Sequence, residues 1–253
     1  MARFKVGVQL HPQHTSVAEL REAWKQADQL GVDSIWVWDH FYPLYGDSRG
    51  RHFEAYTLLA AMAVDTSHAQ FGAMVTGGGY RNPELLADMA RTIDHLSGGR
   101  FFLGIGAGWF ERDYREYGYD FGTTASRLKM LEQTLQRIKS RLGKLNPPPI
   151  GKLPILIGGG GEKVTLRLVA QYADAWNTFP PASSYAHKMH VLDGWCATLN
   201  RDPNEIERTI EVQPDQLDQV DDCLGAGAQH LILEAGQPFD LKPLERLLEM
   251  SRR

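Results

Sequence analysis

The chain has 253 residues, a net charge of -4, and 43% hydrophobic and 23% charged residues, which is ordinary for a globular protein with a large core. This charge excludes the strongly basic surface that is typical of nucleic-acid or anionic-membrane binding. Cys196 and Cys223 are too few for a disulfide framework. The first ten residues lack the apolar region of a signal peptide, and no apolar run reaches the roughly 18 residues of a membrane span. We therefore expect a cytoplasmic protein that binds neither nucleic acid nor membrane.

The N-terminal segment predicts one strand and one helix. Residues 4–10 combine β-branched and apolar residues and stop before Pro12, which predicts a strand. A capping-box pattern from Ser16 to Glu19 follows, and apolar residues then recur at spacings of three and four. This pattern predicts a helix that ends at Gly31, a residue free to adopt positive φ.

The same cycle repeats along the rest of the chain. Asn82, Pro83 and Glu84 supply the cap, the first-turn proline and the first-turn acid of a helix that ends at Gly98. Further strands are predicted over residues 34–38, 69–75, 101–105, 154–157, 173–176, 208–212 and 229–233. Further helices are predicted over residues 53–64, 125–142 and 162–172, and one is predicted after each of the last three strands, the last of them over residues 241–250.

Eight strand–helix pairs thus follow one another without a break in composition. Strands that alternate with helices form a parallel sheet, and eight of them close into a barrel more readily than they form an open sheet. The sequence therefore predicts an α/β fold, a single (β/α)8 TIM barrel with short insertions, in one domain over residues 1–253. An open doubly wound sheet is the alternative fold.

In such a barrel the functional site lies at the C-terminal ends of the strands. Asp39 and His40 directly follow an apolar run, and histidine titrates near neutral pH. We predict His40 as a proton carrier that Asp39 orients or charges; the alternative is a structural Asp–His pair. The spacing of His11, His14 and His40 supports no ligand set, so no metal is expected. The other predicted strand ends carry Thr76, Gly77, Trp109, Asn177, Gln213 and Glu234.

Two glycine-rich runs also follow predicted strands. Residues 158–161 are four glycines that precede Glu162 and a helix, and exposed backbone N–H groups there would bind an anion such as phosphate. The run lacks the spacing of a Walker A loop or of a dinucleotide fingerprint, and a flexible turn is the alternative. Gly104, Gly106 and Gly108 would let a flat ligand approach the fourth strand, or would allow tight strand packing.

Six motifs together resemble the luciferase-like monooxygenase superfamily, and within it the oxidoreductases that depend on coenzyme F420, a deazaflavin. In chain order they are SIWVWDHFYP at 34–43, VTGGGYRNP at 75–83, LSGGR at 96–100, GIGAGW at 104–109, YG at 117–118 and ILIGGGGE at 155–162. The resemblance extends from the first predicted strand to about Asn177, and the last third of the chain matches only in general form.

The resemblance implies that the barrel holds a deazaflavin or flavin ring at the strand C-termini. It places Asp39 and His40 beside the ring, Thr76 against the cofactor and a non-proline cis peptide at Ala73–Met74. The glycines at 158–161 would take the phosphate end of the cofactor. The predicted cofactor-binding set is Asp39, His40, Ala73, Met74, Thr76, Gly106, Ala107, Gly108, Gly158, Gly159, Gly160, Gly161 and Glu162.

The activity implied by the resemblance is F420-dependent hydride transfer to or from a small organic substrate, with His40 and Asp39 as the catalytic residues. An FMN-dependent monooxygenase and a cofactor-binding barrel with little turnover are the alternatives. In the sugar-phosphate dehydrogenase branch a glutamate stands where this chain has Trp109, which argues against that substrate class. Short segments at 139–152 and around the seventh strand would leave the ring more open. A homodimer is compatible with the sequence.

Overall fold

Residues 2–252 are described by a computed structural model, in which eight parallel strands form a closed barrel. Each strand pairs with the next in the chain, and the last strand closes on the first through pairs from Lys5–His230 to Leu10–Ala235. The predicted TIM barrel is confirmed, and the open-sheet alternative is wrong. The strands are β1 (Lys5–Leu10), β2 (Ser34–Asp39), β3 (Gln70–Gly77), β4 (Phe101–Gly106), β5 (Ile155–Gly158), β6 (Ala175–Thr178), β7 (Glu207–Val212) and β8 (His230–Ala235).

Helices cover the outside of the barrel, and most of them follow the predicted pattern. They are α1 (Val17–Leu30), α2 (Ala55–Asp65), α3 (Pro83–Ser97), α4 (Glu111–Glu116), α5 (Thr124–Leu142), α6 (Thr165–Tyr172), α7 (Ala182–Thr198), α8 (Val220–Gly225) and α9 (Lys242–Arg252). Sequence reasoning missed α4, because six residues are too few to show a helical period. None of the helices within residues 2–252 is long and apolar enough to cross a membrane.

Local capping explains where the well-predicted helices begin and end. The Ser16 side chain accepts a hydrogen bond from the Glu19 backbone N–H, and the Glu19 carboxylate accepts one from the Ser16 backbone N–H. At α3 the Asn82 side-chain oxygen accepts hydrogen bonds from the backbone N–H groups of Glu84 and Leu85, with Pro83 in the first turn. Gly98 ends that helix with a φ of 68°, which a residue without Cβ adopts at low cost.

The interior of the barrel is filled by side chains at its lower and middle levels. Trp36 lies on the inward face of β2, where it alternates with Ile35 and Val37, which belong to the outer core between strands and helices. Its inward neighbours are Met74, Phe102, Leu156, Ala175 and Ile232. This apolar layer fills the barrel below the cavity, which opens at the C-terminal ends of the strands.

The third strand contains a bulge that lies against β4. Pairing between the two strands passes from Gly72–Phe102 to Thr76–Ile105, so that four steps on β3 oppose three on β4. The cis peptide lies within this bulge at Met74–Val75, and the predicted position at Ala73–Met74 is wrong by one residue. Motif spacing could not locate the bond, because the extra residue of a bulge becomes visible only in the strand register.

Gly104 is required by the close approach of β3 to β4. A Cβ atom built on Gly104 would lie 1.8 Å from the Ala73 carbonyl oxygen, which no side chain can do. Gly106 lies two residues further along β4. A Cβ atom built on Gly106 would lie 2.8 Å from Cγ2 of Val75, so the glycine leaves room for the Val75 side chain. These two glycines therefore serve strand packing, which was one of the two interpretations of this run.

We expect Gly104→Ala to destabilise the barrel, because the new methyl group forces β3 and β4 apart. Overpacking of this kind costs about 1–3 kcal/mol of unfolding free energy. Gly194→Ala is the matched control, since it lies on α7 with no heavy atom within 4 Å of the added Cβ. In a helix that exchange is expected to gain up to about 1 kcal/mol. Equal effects of the two substitutions in denaturant unfolding would contradict this account of Gly104.

Candidate active site

A cavity of about 440 Å³ opens at the C-terminal ends of the strands. This volume lies within the range of small-molecule sites, about 300–1,000 Å³. Most of its wall is glycine or apolar side chain, and the polar side chains that line it are Gln9, Asp39, His40, Tyr45, Tyr80, Thr165, Asn177, Glu211 and Glu234. Among residues 2–252, no three His, Cys, Asp or Glu side chains are grouped to hold a metal ion.

His40 lies in the cavity wall with one ring nitrogen engaged. Its Nδ1 is 2.7 Å from Oδ2 of Asp113, a fully buried residue on α4. A carboxylate at Nδ1 holds the proton on that nitrogen, so that Nε2 is left to exchange a proton elsewhere. The ring stands edge-on to Trp109 and Phe110, which follow β4, with centroid distances of 5.6 and 5.5 Å.

Asp113 is itself held by two further donors. The Phe41 backbone N–H donates to Oδ1 at 3.1 Å, and the Tyr80 hydroxyl donates to Oδ2 at 2.8 Å. Burial and the nearby Asp113 carboxylate raise the pKa of Tyr80, so its hydroxyl stays protonated and remains a donor. This network fixes the orientation of the His40 ring from behind.

Asp39 has a different partner from the one that the sequence suggested. Both of its carboxylate oxygens accept from the Arg81 guanidinium, at 2.5 and 3.1 Å, and its side chain is fully buried. Arg81 also donates to Glu54 at 2.5 Å and lies over the Tyr56 ring. Burial raises the pKa of Asp39, and the charge of Arg81 opposes that shift. The expectation that Asp39 orients the His40 ring directly is therefore wrong, because that ring bonds to Asp113. A catalytic or cofactor-binding role of Asp39 stays a prediction.

The glycine-rich loops take their predicted places only in part. Gly106, Ala107 and Gly108 after β4, and Gly158 and Gly159 after β5, line the cavity. The Gly159 N–H donates to the Asn177 carbonyl at 3.0 Å, so it is engaged within the fold. Gly160, Gly161 and Glu162 continue away from the cavity towards α7, where the Lys188 ammonium donates to the Gly160 carbonyl at 2.7 Å. Their part in phosphate binding stays a prediction.

Three predicted cofactor contacts on β3 differ in exposure to the cavity. Met74 lines it, while Ala73 and Thr76 are fully buried outside its lining. The Thr76 hydroxyl lies 2.9 Å from the Tyr56 hydroxyl, with which it forms a hydrogen bond. Met74 presents its carbonyl to the Gln9 side chain, which donates to it at 2.9 Å.

A second wall of the cavity carries carboxyl groups that the sequence only partly indicated. Glu234 on β8 lies at the predicted strand end. On β7 the inward residue is Glu211, whereas the predicted Gln213 is exposed beyond the strand. The sequence located the end of β7 correctly. Which side chain points into the barrel depends on the alternation of inward and outward residues along the strand, and that alternation selects Glu211. His11 lies behind this wall, with its Nδ1 2.5 Å from the Tyr45 hydroxyl.

The family profile described as luciferase-like monooxygenase matches residues 1–215. The chain belongs to the luciferase-like monooxygenase family. The match covers all of the strands up to β7 and both residues of the Asp39–His40 pair.

Curated relatives in this family include reductases and dehydrogenases. The phthiodiolone/phenolphthiodiolone dimycocerosates ketoreductase of Mycobacterium tuberculosis is 28% identical over 223 residues, which cover 74% of this chain and 58% of the relative. The F420-dependent glucose-6-phosphate dehydrogenase of Amycolatopsis mediterranei is 26% identical, with coverage of 83% and 68%. The chain thus spans less than two thirds of the length of the ketoreductases that it matches.

Solved structures share the fold across nearly the whole chain. An F420-dependent secondary alcohol dehydrogenase in complex with an F420-acetone adduct superposes with a TM-score of 0.88, at 15% identity and with coverage of 99% and 100%. The oxygenating constituent of the 3,6-diketocamphane monooxygenase of Pseudomonas putida, in complex with FMN, gives a TM-score of 0.78 at 16% identity, with coverage of 100% and 98%. At these identities the likeness concerns the fold alone.

We expect Arg81→Met to destabilise the protein by about 3–5 kcal/mol at neutral pH, because it leaves the buried Asp39 carboxylate without its partner. Without Arg81, burial alone governs Asp39, so its folded-state pKa rises further above the unfolded value. The loss should therefore be largest at high pH and shrink as the pH falls and Asp39 becomes protonated.

Denaturant unfolding at pH 5 and pH 8 measures this difference. Asp39→Asn/Arg81→Met is the control, since it removes both charges, and it should recover part of the stability at pH 8. A loss that is equal at both pH values, or a double variant that is no more stable than Arg81→Met, would show that the pair is not held together by charge.

Proposed function

We propose that this chain is an oxidoreductase that uses the deazaflavin coenzyme F420 for hydride transfer to or from a small organic substrate. The observation that carries the proposal is His40, which faces the cavity and is oriented through Nδ1 by the buried Asp113. Membership of the luciferase-like family supports it, as do relatives whose names include ketoreductase and F420-dependent dehydrogenase.

The residues of the cavity fit a flat heteroaromatic ring. Met74 and Val75 provide an apolar surface on the β3 bulge, and Gly106 and Gly108 line the same cavity without side chains of their own. Asp39 and Asn177 supply polar groups at the edges of this space. An apolar cavity with a few convergent polar groups is typical of an organic cofactor site. When bound there, the deazaflavin would supply the carbon that accepts or donates the hydride.

His40 would handle the proton that accompanies hydride transfer. In the direction of ketone reduction, Nε2 of the protonated ring would donate to the carbonyl oxygen of the substrate; in alcohol oxidation, neutral Nε2 would accept the hydroxyl proton. Asp113 would stabilise the charged ring and keep Nδ1 protonated in both directions. Tyr80 and the Phe41 N–H hold Asp113 in place for this role.

The phosphate end of the cofactor would lie at the loop after β5. With the Gly159 N–H engaged by Asn177, the N–H groups of Gly160 and Gly161 would be the donors. Lys188 on α7 places an ammonium group at this loop, 2.7 Å from the Gly160 carbonyl. A cation beside backbone donors would favour a phosphate there.

An FMN-dependent monooxygenase is the second candidate, since solved neighbours of the same fold include one in complex with FMN. A barrel that binds the cofactor with little turnover is the third. Sugar phosphates are a poor fit in each case, because Trp109 stands where that branch carries its glutamate. Titration of the purified chain with F420 and with FMN, followed by fluorescence, separates the first candidate from the second, and turnover in the assay described below separates the first from the third. Binding of FMN alone would overturn the F420 proposal.

Gly160→Val tests the phosphate loop. A Cβ on Gly160 would lie 2.9 Å from Lys188 Cε, so the substitution displaces the ammonium group and crowds the loop. We expect the dissociation constant for F420 to rise about ten-fold or more, which corresponds to one lost charge-assisted hydrogen bond. A deazaflavin that lacks the phosphate tail is the matched control ligand, and its affinity should change little. Equal losses for the two ligands would show that the loop only supports the fold.

His40→Asn tests the proton carrier. Asparagine keeps polarity and approximate size but does not titrate near neutral pH, so we expect kcat to fall by about 10²–10⁴. The melting temperature should fall only slightly, because Asp113 keeps its bonds to Tyr80 and Phe41, and the F420 dissociation constant should hold. The assay is oxidation of reduced F420 by a panel of ketones, followed by absorbance.

The other two outcomes of that variant are equally informative. A large fall in melting temperature with kcat per folded molecule unchanged would make His40 a structural residue. A rise in the F420 dissociation constant with kcat unchanged would make it a cofactor contact only.

A further inference from the structure

Two facing carboxyl groups form the wall of the cavity that the proposed chemistry does not use. Glu211 on β7 and Glu234 on β8 lie on neighbouring parallel strands. Glu211 is 5% exposed, and its Oε2 accepts a hydrogen bond from the Asn177 side-chain amide at 3.4 Å. Both carboxyl groups line the cavity. We call Glu211 and Glu234 the carboxyl pair.

His11 is aimed at the carboxyl pair and has no hydrogen-bond partner on that side. Its Nε2 lies 3.9 Å from Oε2 of Glu234 and is buried without a partner, while the residue as a whole is 4% exposed. Burial lowers the pKa of His11 to about 4, so the ring is neutral at neutral pH. The Tyr45 hydroxyl lies 2.5 Å from Nδ1 of His11. Because Nε2 faces the Glu234 carboxyl group, the tautomer with the proton on Nε2 is favoured, and Nδ1 then accepts from Tyr45.

The groups around the carboxyl pair include no cation to neutralise two negative charges. His11 at the end of β1, Tyr45 after β2 and Asn177 on β6 are all neutral at neutral pH, and no Lys or Arg side chain within residues 2–252 lines the cavity. Burial raises the pKa of Glu211 well above its ordinary value, and the charge of Glu234 raises it further. Two carboxyl groups at the same wall of a cavity repel each other when both are ionised, so a state with one retained proton and one negative charge on the pair is favoured.

We propose that the carboxyl pair is the substrate-binding subsite of the cavity, and that it accepts a neutral hydroxyl or carbonyl oxygen and rejects carboxylates and phosphates. The shared proton can be donated to a carbonyl oxygen, and the free carboxylate oxygen can accept from a hydroxyl. An anion at the same place would face Glu234 without a compensating cation, and like charges in such a position cost several kcal/mol. Exposed aromatic side chains at the mouth, Trp109 and Phe179, would contact an apolar substrate body. The inference rests on the proposed function only in taking the ligand to be the substrate.

Butanone and butyrate test the selectivity, because they have the same number of carbons and differ in charge. Binding to the purified full chain is measured at pH 7 by ligand-observed NMR, first without cofactor and then with F420. The wild-type protein should bind butanone at least about ten-fold more tightly than butyrate. Glu234→Gln keeps a donor and an acceptor but removes the charge. The affinity for butanone should therefore stay the same, and the ratio of butanone affinity to butyrate affinity should fall about ten-fold.

Glu132→Gln is the matched control, since it removes a glutamate charge on α5 outside the cavity. It should leave the butanone-to-butyrate ratio unchanged. Equal affinity of the wild-type protein for the two probes, or a ratio that Glu234→Gln leaves unchanged, overturns the proposal. Because the first measurement contains no cofactor, a chain that binds neither F420 nor FMN can still retain the subsite, and an active F420 enzyme can still lack it.

The shared proton has its own test in the pH dependence of stability. The folded-state pKa of Glu211 is raised, so the wild-type protein loses stability relative to Glu211→Gln as the pH rises above about 5. Between pH 5 and pH 8, the melting temperature of Glu211→Gln should therefore rise relative to that of the wild-type protein. The same difference for Glu132→Gln should stay constant. A constant difference for Glu211→Gln as well would show that the pair holds no proton, which removes the basis of the selectivity.

Discussion

The close approach of β3 to β4 is the constraint on which the site depends. The bulge in β3 brings Ala73 against Gly104 and places Val75 where only glycines on β4 and β5 leave room. Because of this bulge, Met74 and Val75 face the cavity and the Met74 carbonyl meets the Gln9 side chain across the barrel. The same irregularity shifts the register with β2, so that Asp39 pairs with Thr76 beside the site. A larger residue at position 104 would move all of these groups together.

Buried charge in the site is divided between two separate arrangements. Asp39 is neutralised by Arg81 in a bidentate pair, while Asp113 is held by His40, Tyr80 and a backbone N–H. A buried carboxylate is costly without such partners, so each carboxylate has its own set. The His40 ring therefore shares no hydrogen-bond partner with the ion pair that anchors the neighbouring residue. Asp39 is thus an ion-paired group that lines the cavity beside a histidine, whose own hydrogen-bond partner comes from α4.

The two walls of the cavity differ in chemistry. Glycines and apolar side chains from β3 to β5 line one wall beside His40, and carboxyl groups from β7 and β8 line the other. Under the two proposals above, the first wall would hold the flat cofactor and the second a small neutral polar group, so that the two partners of the hydride transfer would face each other. Such a separation follows from a closed barrel, in which opposite strands contribute opposite walls.

The sequence by itself determined the fold and the end of the barrel where the site lies. Apolar residues recur every two positions in the strands and every three or four positions in the helices, and caps such as Ser16 and Asn82 mark where helices begin. These patterns encode each element locally, and eight strand–helix pairs favour a closed barrel. The motifs identified the family, and Asp39 and His40 were found because they directly follow an apolar strand. The assignment of residues 1–253 to a single domain stays a prediction.

Only the tertiary structure decided which side chains meet. Asp113 lies 73 residues from His40, and Arg81 lies 42 residues from Asp39, so neither partnership leaves a local pattern in the sequence. The inward position of Glu211 and the cis bond at Met74–Val75 depend on strand register to within one residue. Periodicity locates an element to within a few residues, whereas register is set by the packing of neighbouring strands when the barrel closes.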